Sequence, residues 1–130
     1  MIGLDTNVLV RYIVRDDPAQ TALADRCIEH RCSRERPGYV SHLVLAELVW
    51  VLGRGYGYPR QMLADVLGTL LSSEEIRIQD APLVRAALGE FSAGAADFAD
   101  CLIPGVILSW LSVRFLAKSN TYGNLFVTMV

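Results

Sequence analysis

Apolar positions along this chain switch repeatedly between a strand spacing and a helix spacing. A short apolar run over residues 1–4 ends in Asp5, and Val8, Leu9, Tyr12 and Ile13 then recur at helical intervals, which predicts strand, turn and helix. Asp17-Pro18 supplies an N-cap with Pro at the first helical position, and Ala19, Ala22, Leu23, Arg26, Cys27 and Ile28 carry an amphipathic helix to about residue 32. Tyr39-Val40-Ser41 predicts a second short strand after Pro37-Gly38. Ser41 can cap a helix over 42–54, which the glycines between 53 and 57 would end. A helix over 59–71 begun by Pro59, a strand at Ile76-Arg77-Ile78 and a helix over 81–92 begun by Ala81-Pro82 continue the series. The segment from Asp97 to Ile103 reads as the first turn of one more helix, with acids at its positive end, and Pro104-Gly105 is expected to break it.

Alternating strands and helices argue an α/β fold with a short parallel sheet, in which ligands sit at the carboxyl ends of strands. Asp5 stands at such an end. The 130 residues make a single domain over 1–130, long enough to bury roughly two thirds of the unfolded surface, with no internal repeat and no low-complexity linker. At 52% hydrophobic and 20% charged, the chain is neither a disordered tail nor a collagen-like or coiled-coil repeat. Its net charge of −2 makes no global positive field, so a polyanionic partner has to be held locally or through a metal.

Cys27, Cys32 and Cys101 are an odd set without CxxC spacing, which suggests neither a disulfide framework nor a zinc knuckle and points to a reducing cytoplasm. The N-terminus lacks a basic n-region and an apolar h-region, so export is not expected. Residues 102–117 are largely apolar but carry Arg114, and at about 16 residues fall short of the roughly 20 that a membrane span requires.

The pointed feature is a set of carboxylates embedded among apolar residues: Asp5 after Ile2-Gly3-Leu4, Glu47 inside Val44-Leu45-Ala46-Glu47-Leu48-Val49-Trp50, and Asp97 and Asp100 flanking Phe98. Buried acids cost several kcal/mol unless they are paired or metal-bound, and acids converging on one cleft repel each other until a divalent cation compensates them. Hard oxygen donors of this kind suit Mg²⁺ or Mn²⁺. Each acid also has a plainer reading: Asp5, Asp97 and Asp100 as helix caps or first-turn acids, Glu47 as a solvated helix position. Thr6 and Asn7 can orient a neighbouring carboxylate or simply serve the turn. Arg26, His30, Arg31, Arg34 and Arg36 form a basic stripe, either a track for a nucleic-acid backbone or a solvated face balanced by Asp25, Glu29 and Glu35. No Ser or Cys has an evident base.

The opening Ile2-Gly3-Leu4-Asp5-Thr6-Asn7-Val8-Leu9, the segment from Ser41 to Glu47, and Ala96-Asp97-Phe98-Ala99-Asp100-Cys101-Leu102-Ile103 together resemble the PIN-domain ribonucleases, specifically VapC-like toxins, over residues 1–103. The resemblance implies a three-layer α/β/α fold with a short parallel sheet. It also implies Asp5, Glu47 and Asp100 as metal-binding acids, Asp97 as an accessory acid and Thr6 and Asn7 as orienting groups. The activity implied is Mg²⁺- or Mn²⁺-dependent cleavage of structured RNA by a homodimer neutralised by a cognate antitoxin. Tyr12, Trp50, Val51 and Leu52 either line a groove for an antitoxin helix or pack in the core.

Residues 104–130 depart from the family pattern, which continues the last acidic helix and then places a further acid after a strand. All fourteen carboxylates of this chain lie at or before Asp100; the last thirty residues hold one Ala against twelve earlier, the only Lys (Lys118), and Asn120 and Asn124. The shift reads as a frameshifted or otherwise replaced C-terminus, which rereading the coding DNA in its other frames would test. Such an ending would leave an edge at 76–78 or 125–130 open to partners and lower solubility. Two functions follow: a metal-dependent endoribonuclease, or a catalytically impaired remnant that still binds antitoxin or toxin. A phosphatase-like reading with Asp5 as nucleophile lacks a second Asp two residues on and a catalytic Lys.

Overall fold

The computed structural model describes residues 1–119, with side chains through Leu111. In chain order the elements are β1 (Ile2–Gly3), α1 (Thr6–Val14), α2 (Pro18–Arg31), β2 (Gly38–Val40), α3 (His42–Trp50), α4 (Arg60–Ser72), β3 (Ile76–Ile78), α5 (Ala81–Ala93) and α6 (Phe98–Ser119). The three strands form one parallel sheet in the order β1-β2-β3, with Ile2 opposite Gly38 and Gly38 opposite Ile76. This is the α/β architecture expected from the alternating pattern.

Helix starts are set by the caps that the sequence announces. Asp5 accepts from the Val8 amide at 2.9 Å, Asp17 from the Ala19 and Gln20 amides at 3.1 and 3.2 Å, and Ser41 from the Val44 amide at 3.2 Å. Each bond satisfies an amide that the first helical turn leaves without a partner. Helix α1 stops at Arg15, which takes the left-handed conformation (φ 57°) and returns its N–H to the Arg11 carbonyl. The helix over 42–54 divides in two. After Trp50 the backbone widens into a π-helical turn, Val51–Gly55, and Gly57 at φ 69° then leads the chain out. Wider turns of this kind cluster near functional sites.

Leu9, Val40, Leu45, Leu48, Leu67 and Val84 are fully buried and tie α1, α3, α4 and α5 to the sheet. Gly38 is where this packing is tightest. A Cβ built there would lie 2.6 Å from Leu4 Cδ1 and 2.9 Å from Cys32 Sγ, so any side chain at this point of β2 would have to push those two aside. The strand read at 76–78 is β3, at one edge of the sheet among the described residues.

The expected break at Pro104-Gly105 is corrected: α6 runs through it to Ser119. Proline removes one helical donor, the one that would serve the Asp100 carbonyl, and both Pro104 and Asp100 are exposed, where water can replace that bond. Gly105 contributes in another way. A Cβ there would meet Leu83 Cδ1 at 2.9 Å, so the glycine lets α6 approach α5 without displacing the Leu83 side chain. Among the described residues no helix is long and apolar enough to cross a membrane. Asn120, Asn124 and the strand suggested at 125–130 lie outside the described residues.

Candidate active site

The carboxyl end of β1 is joined to the middle of α3 by one hydrogen bond. Leu4 continues the strand, its amide donating to the Tyr39 carbonyl at 2.8 Å, and Asp5 then turns the chain into α1. Thr6 follows as the first residue of that helix and is buried, and its hydroxyl donates to Glu47 Oε2 at 3.0 Å. Residues 41 positions apart thus meet at the strand end, with Thr6 restricting the rotation of the Glu47 carboxylate. Asn7 is exposed, and its side chain makes no hydrogen bond among the described residues.

All four candidate acids, Asp5, Glu47, Asp97 and Asp100, are exposed, which corrects the reading of them as embedded in apolar surroundings. The reason is visible on α3. Glu47 shares one helix face with Leu43 and Trp50, apolar residues that are themselves 77% and 65% exposed, while Leu45 and Leu48 turn inward. Asp97 precedes α6 and Asp100 occupies its first turn; neither carboxylate has a hydrogen bond or ion pair among the described residues. No group of three or more His, Cys, Asp or Glu side chains among the described residues is placed to hold a metal ion. The donors present, carboxylate oxygens at Asp5, Glu47 and Asp100, fit a hard divalent cation in their chemistry. Only Glu47 is tied by a direct bond to the strand-end segment.

Beside Asp97 opens a cavity of about 310 Å³. Leu63, Phe91 and Phe98 form its buried floor, and Trp50, Arg54 and Asp97 are exposed at its rim. Arg60 holds one wall. Its guanidinium lies 4.0 Å over the Phe91 ring, donates through Nε to the Phe91 carbonyl at 2.8 Å and through Nη2 to the Ala96 carbonyl. Phe91 in turn meets Phe98 edge to face at 5.8 Å. This clamp ties the start of α4 to the end of α5 and to the residue before Asp97.

A profile of the PIN domain matches residues 2–107. The chain belongs to the PIN domain family. It is 27% identical over 99 residues to a VapC ribonuclease of Aquifex aeolicus (strain VF5), a match covering 76% of this chain and 73% of that protein. No solved structure matches the chain significantly.

In this PIN domain, the residues suggested for an antitoxin groove separate. Leu52 is core and fully buried, Tyr12 and Val51 are half-buried, and Trp50 is exposed. The basic stripe divides too. Arg34 reaches Glu74 at 3.9 Å, whereas His30, Arg31 and Arg36 line a cavity of about 460 Å³ with Met1 and Ile2, at the amino end of β1. Burial pushes the thiols of Cys32 and Cys101 above the ordinary cysteine range, which keeps them protonated and out of nucleophilic chemistry. Arg60 carries no local signal in the sequence. Its partners lie 31 and 36 residues on, and only tertiary structure brings them to it.

Proposed function

We propose that this PIN domain is a divalent-metal-dependent endoribonuclease acting on structured RNA, the toxin of a toxin–antitoxin pair. The observation that carries the reading is the hydrogen bond from Thr6 to Glu47, which joins the strand-end acid segment to the acid of α3 in a chain similar to a VapC ribonuclease. Asp5, Glu47 and Asp100 would hold Mg²⁺ or Mn²⁺, whose chemistry when bound is to acidify a water and to balance charge on the leaving oxygen of a phosphodiester.

The chain's own groups prepare that chemistry. The Val8 amide occupies Asp5 Oδ1 and leaves Oδ2 for a ligand; the Thr6 hydroxyl occupies Glu47 Oε2 and leaves Oε1. Asn7, beside Asp5, is the orienting amide at the site's edge. Asp97 is the accessory acid, and its position at the cavity rim suits contact with substrate. The protein works in the cytoplasm, where the reduced state of Cys27, Cys32 and Cys101 is maintained. As a homodimer it is neutralised by a cognate antitoxin, for which the exposed Leu43 and Trp50 on α3 supply apolar contact.

The test is calorimetric titration of the full chain and of Asp5→Asn with Mg²⁺ and Mn²⁺, with cleavage of a structured RNA pool measured in parallel. Metal binding and cleavage that are both lost in the variant support the nuclease. A folded protein that shows neither is instead an impaired remnant acting through its partners, a reading favoured by the lack of any carboxylate after Asp100.

A further inference from the structure

We propose that the cavity beside Asp97 receives an unstacked RNA base, with guanine preferred over the other three. The inference rests on the ribonuclease reading for the nature of the polymer.

At about 310 Å³ the cavity is at the small end of ligand sites, a volume on the scale of one planar ring system. Its floor of Leu63, Phe91 and Phe98 is apolar and packed into the core. The rim differs in kind. Trp50 lines the cavity and is 65% exposed, an indole of the kind on which single-stranded bases stack. Arg54 is exposed and has no ion pair or hydrogen bond among the described residues, which leaves its guanidinium for the phosphate attached to that base. Arg60 is engaged with the Phe91 ring and two carbonyls and shapes the wall.

Asp97 supplies the selectivity. Its two carboxylate oxygens are acceptors only, and they too are without partners among the described residues. On its pairing edge guanine alone presents two adjacent N–H donors, N1–H and N2–H, which match such a pair. Adenine and cytosine place a lone pair beside their amino group, and uracil flanks its one N–H with two carbonyls. An aromatic side chain from a protein partner would fill the floor but bring at most one N–H to Asp97.

The test is binding of 5′-GMP, 5′-AMP, 5′-CMP and 5′-UMP to the full chain by calorimetry in EDTA, where no metal-dependent step intervenes. GMP is expected to bind at least about tenfold more tightly than the others, the scale of one good bidentate contact. Trp50→Ala should weaken all four alike, Asp97→Asn should erase the advantage of guanine, and Asp5→Asn should leave GMP binding as it is. Trp50 and Asp97 are exposed, so neither variant threatens the fold. Equal affinity for the four nucleotides, no binding of any, or binding of N-acetyltryptophanamide in place of GMP overturns the proposal. Guanine-selective binding in EDTA supports the cavity whether or not RNA is cut, so its failure and that of the nuclease reading are distinct.

Discussion

Helix α6 contains two regions of similar hydrophobicity and opposite fate. Its first residues, Phe98 and Leu102, are 1% and 2% exposed and close the core against α5. From Ile103 to Leu111 no described side chain is buried, although Ile103, Ile107, Leu108, Trp110 and Leu111 are all large and apolar. Up to Leu102 the apolar residues recur on the face that meets α5; Gly105 and Val106, beyond Pro104, keep that contact, while the larger apolar residues Ile103, Ile107, Trp110 and Leu111 stand out into solvent. Apolar character supplies the driving force for burial, but only a matching surface turns it into a core.

The largest expected effect that sharpens this contrast is at the packed end. Phe98→Ala removes the edge-to-face partner of Phe91 and should cost about 3–5 kcal/mol in urea unfolding. Gly38→Ala should cost about 1–3 kcal/mol, because the new methyl group enters the contact between Leu4 and Cys32. Arg60→Ala should cost a similar amount, about 1–3 kcal/mol, by leaving the Phe91 and Ala96 carbonyls without their charged donor. At the other end Trp110→Ser should change stability by no more than about 0.5 kcal/mol. A cost there as large as that of Phe98→Ala would break the comparison and place the outer face of α6 against a partner.

The smallest effect concerns the exposed pair between Arg15, which closes α1, and Asp25 in α2. The Arg15 guanidinium donates to both oxygens of Asp25 at 2.8 Å and holds its carboxyl below the ordinary 3.8. A depressed carboxyl pKa contributes stability above its unfolded value and loses it as pH falls through the folded value. Asp25→Asn should therefore lower the melting temperature slightly at neutral pH, and the difference from the parent chain should vanish in acid below that range. Added salt should shrink it at every pH.

Much of this was legible from local patterns. Asp5, Asp17 and Ser41 announced their helices because an N-cap acts on amides two or three residues away, within reach of the sequence itself. Ile76-Arg77-Ile78 announced a strand by its alternation, with both isoleucines buried and Arg77 exposed. Two readings failed for one reason, that solvent decides what a pattern means. Pro104 was expected to end α6, yet on an exposed face its lost bond can be remade with water. Glu47 was taken as embedded because apolar residues surround it in the chain, yet Leu43 and Trp50, which share its face of the helix, lie open to solvent. The Thr6 contact with Glu47 and the Arg60 clamp span 41 and 31 to 36 residues, distances over which spacing carries no signal.

The order of the strands in the sheet is their order along the chain, and each strand pairs with the one made just before it. Assembly of the three described strands can therefore follow synthesis: as the chain leaves the ribosome, β2 meets a completed β1 and β3 a completed β2. Whatever ending the gene specifies beyond Ile103 emerges after the sheet, the Thr6–Glu47 bond and the Arg60 clamp can already exist. A change of ending then meets a sheet already made and acts on what α6 does beyond its last contacts with α5, at Gly105 and Val106.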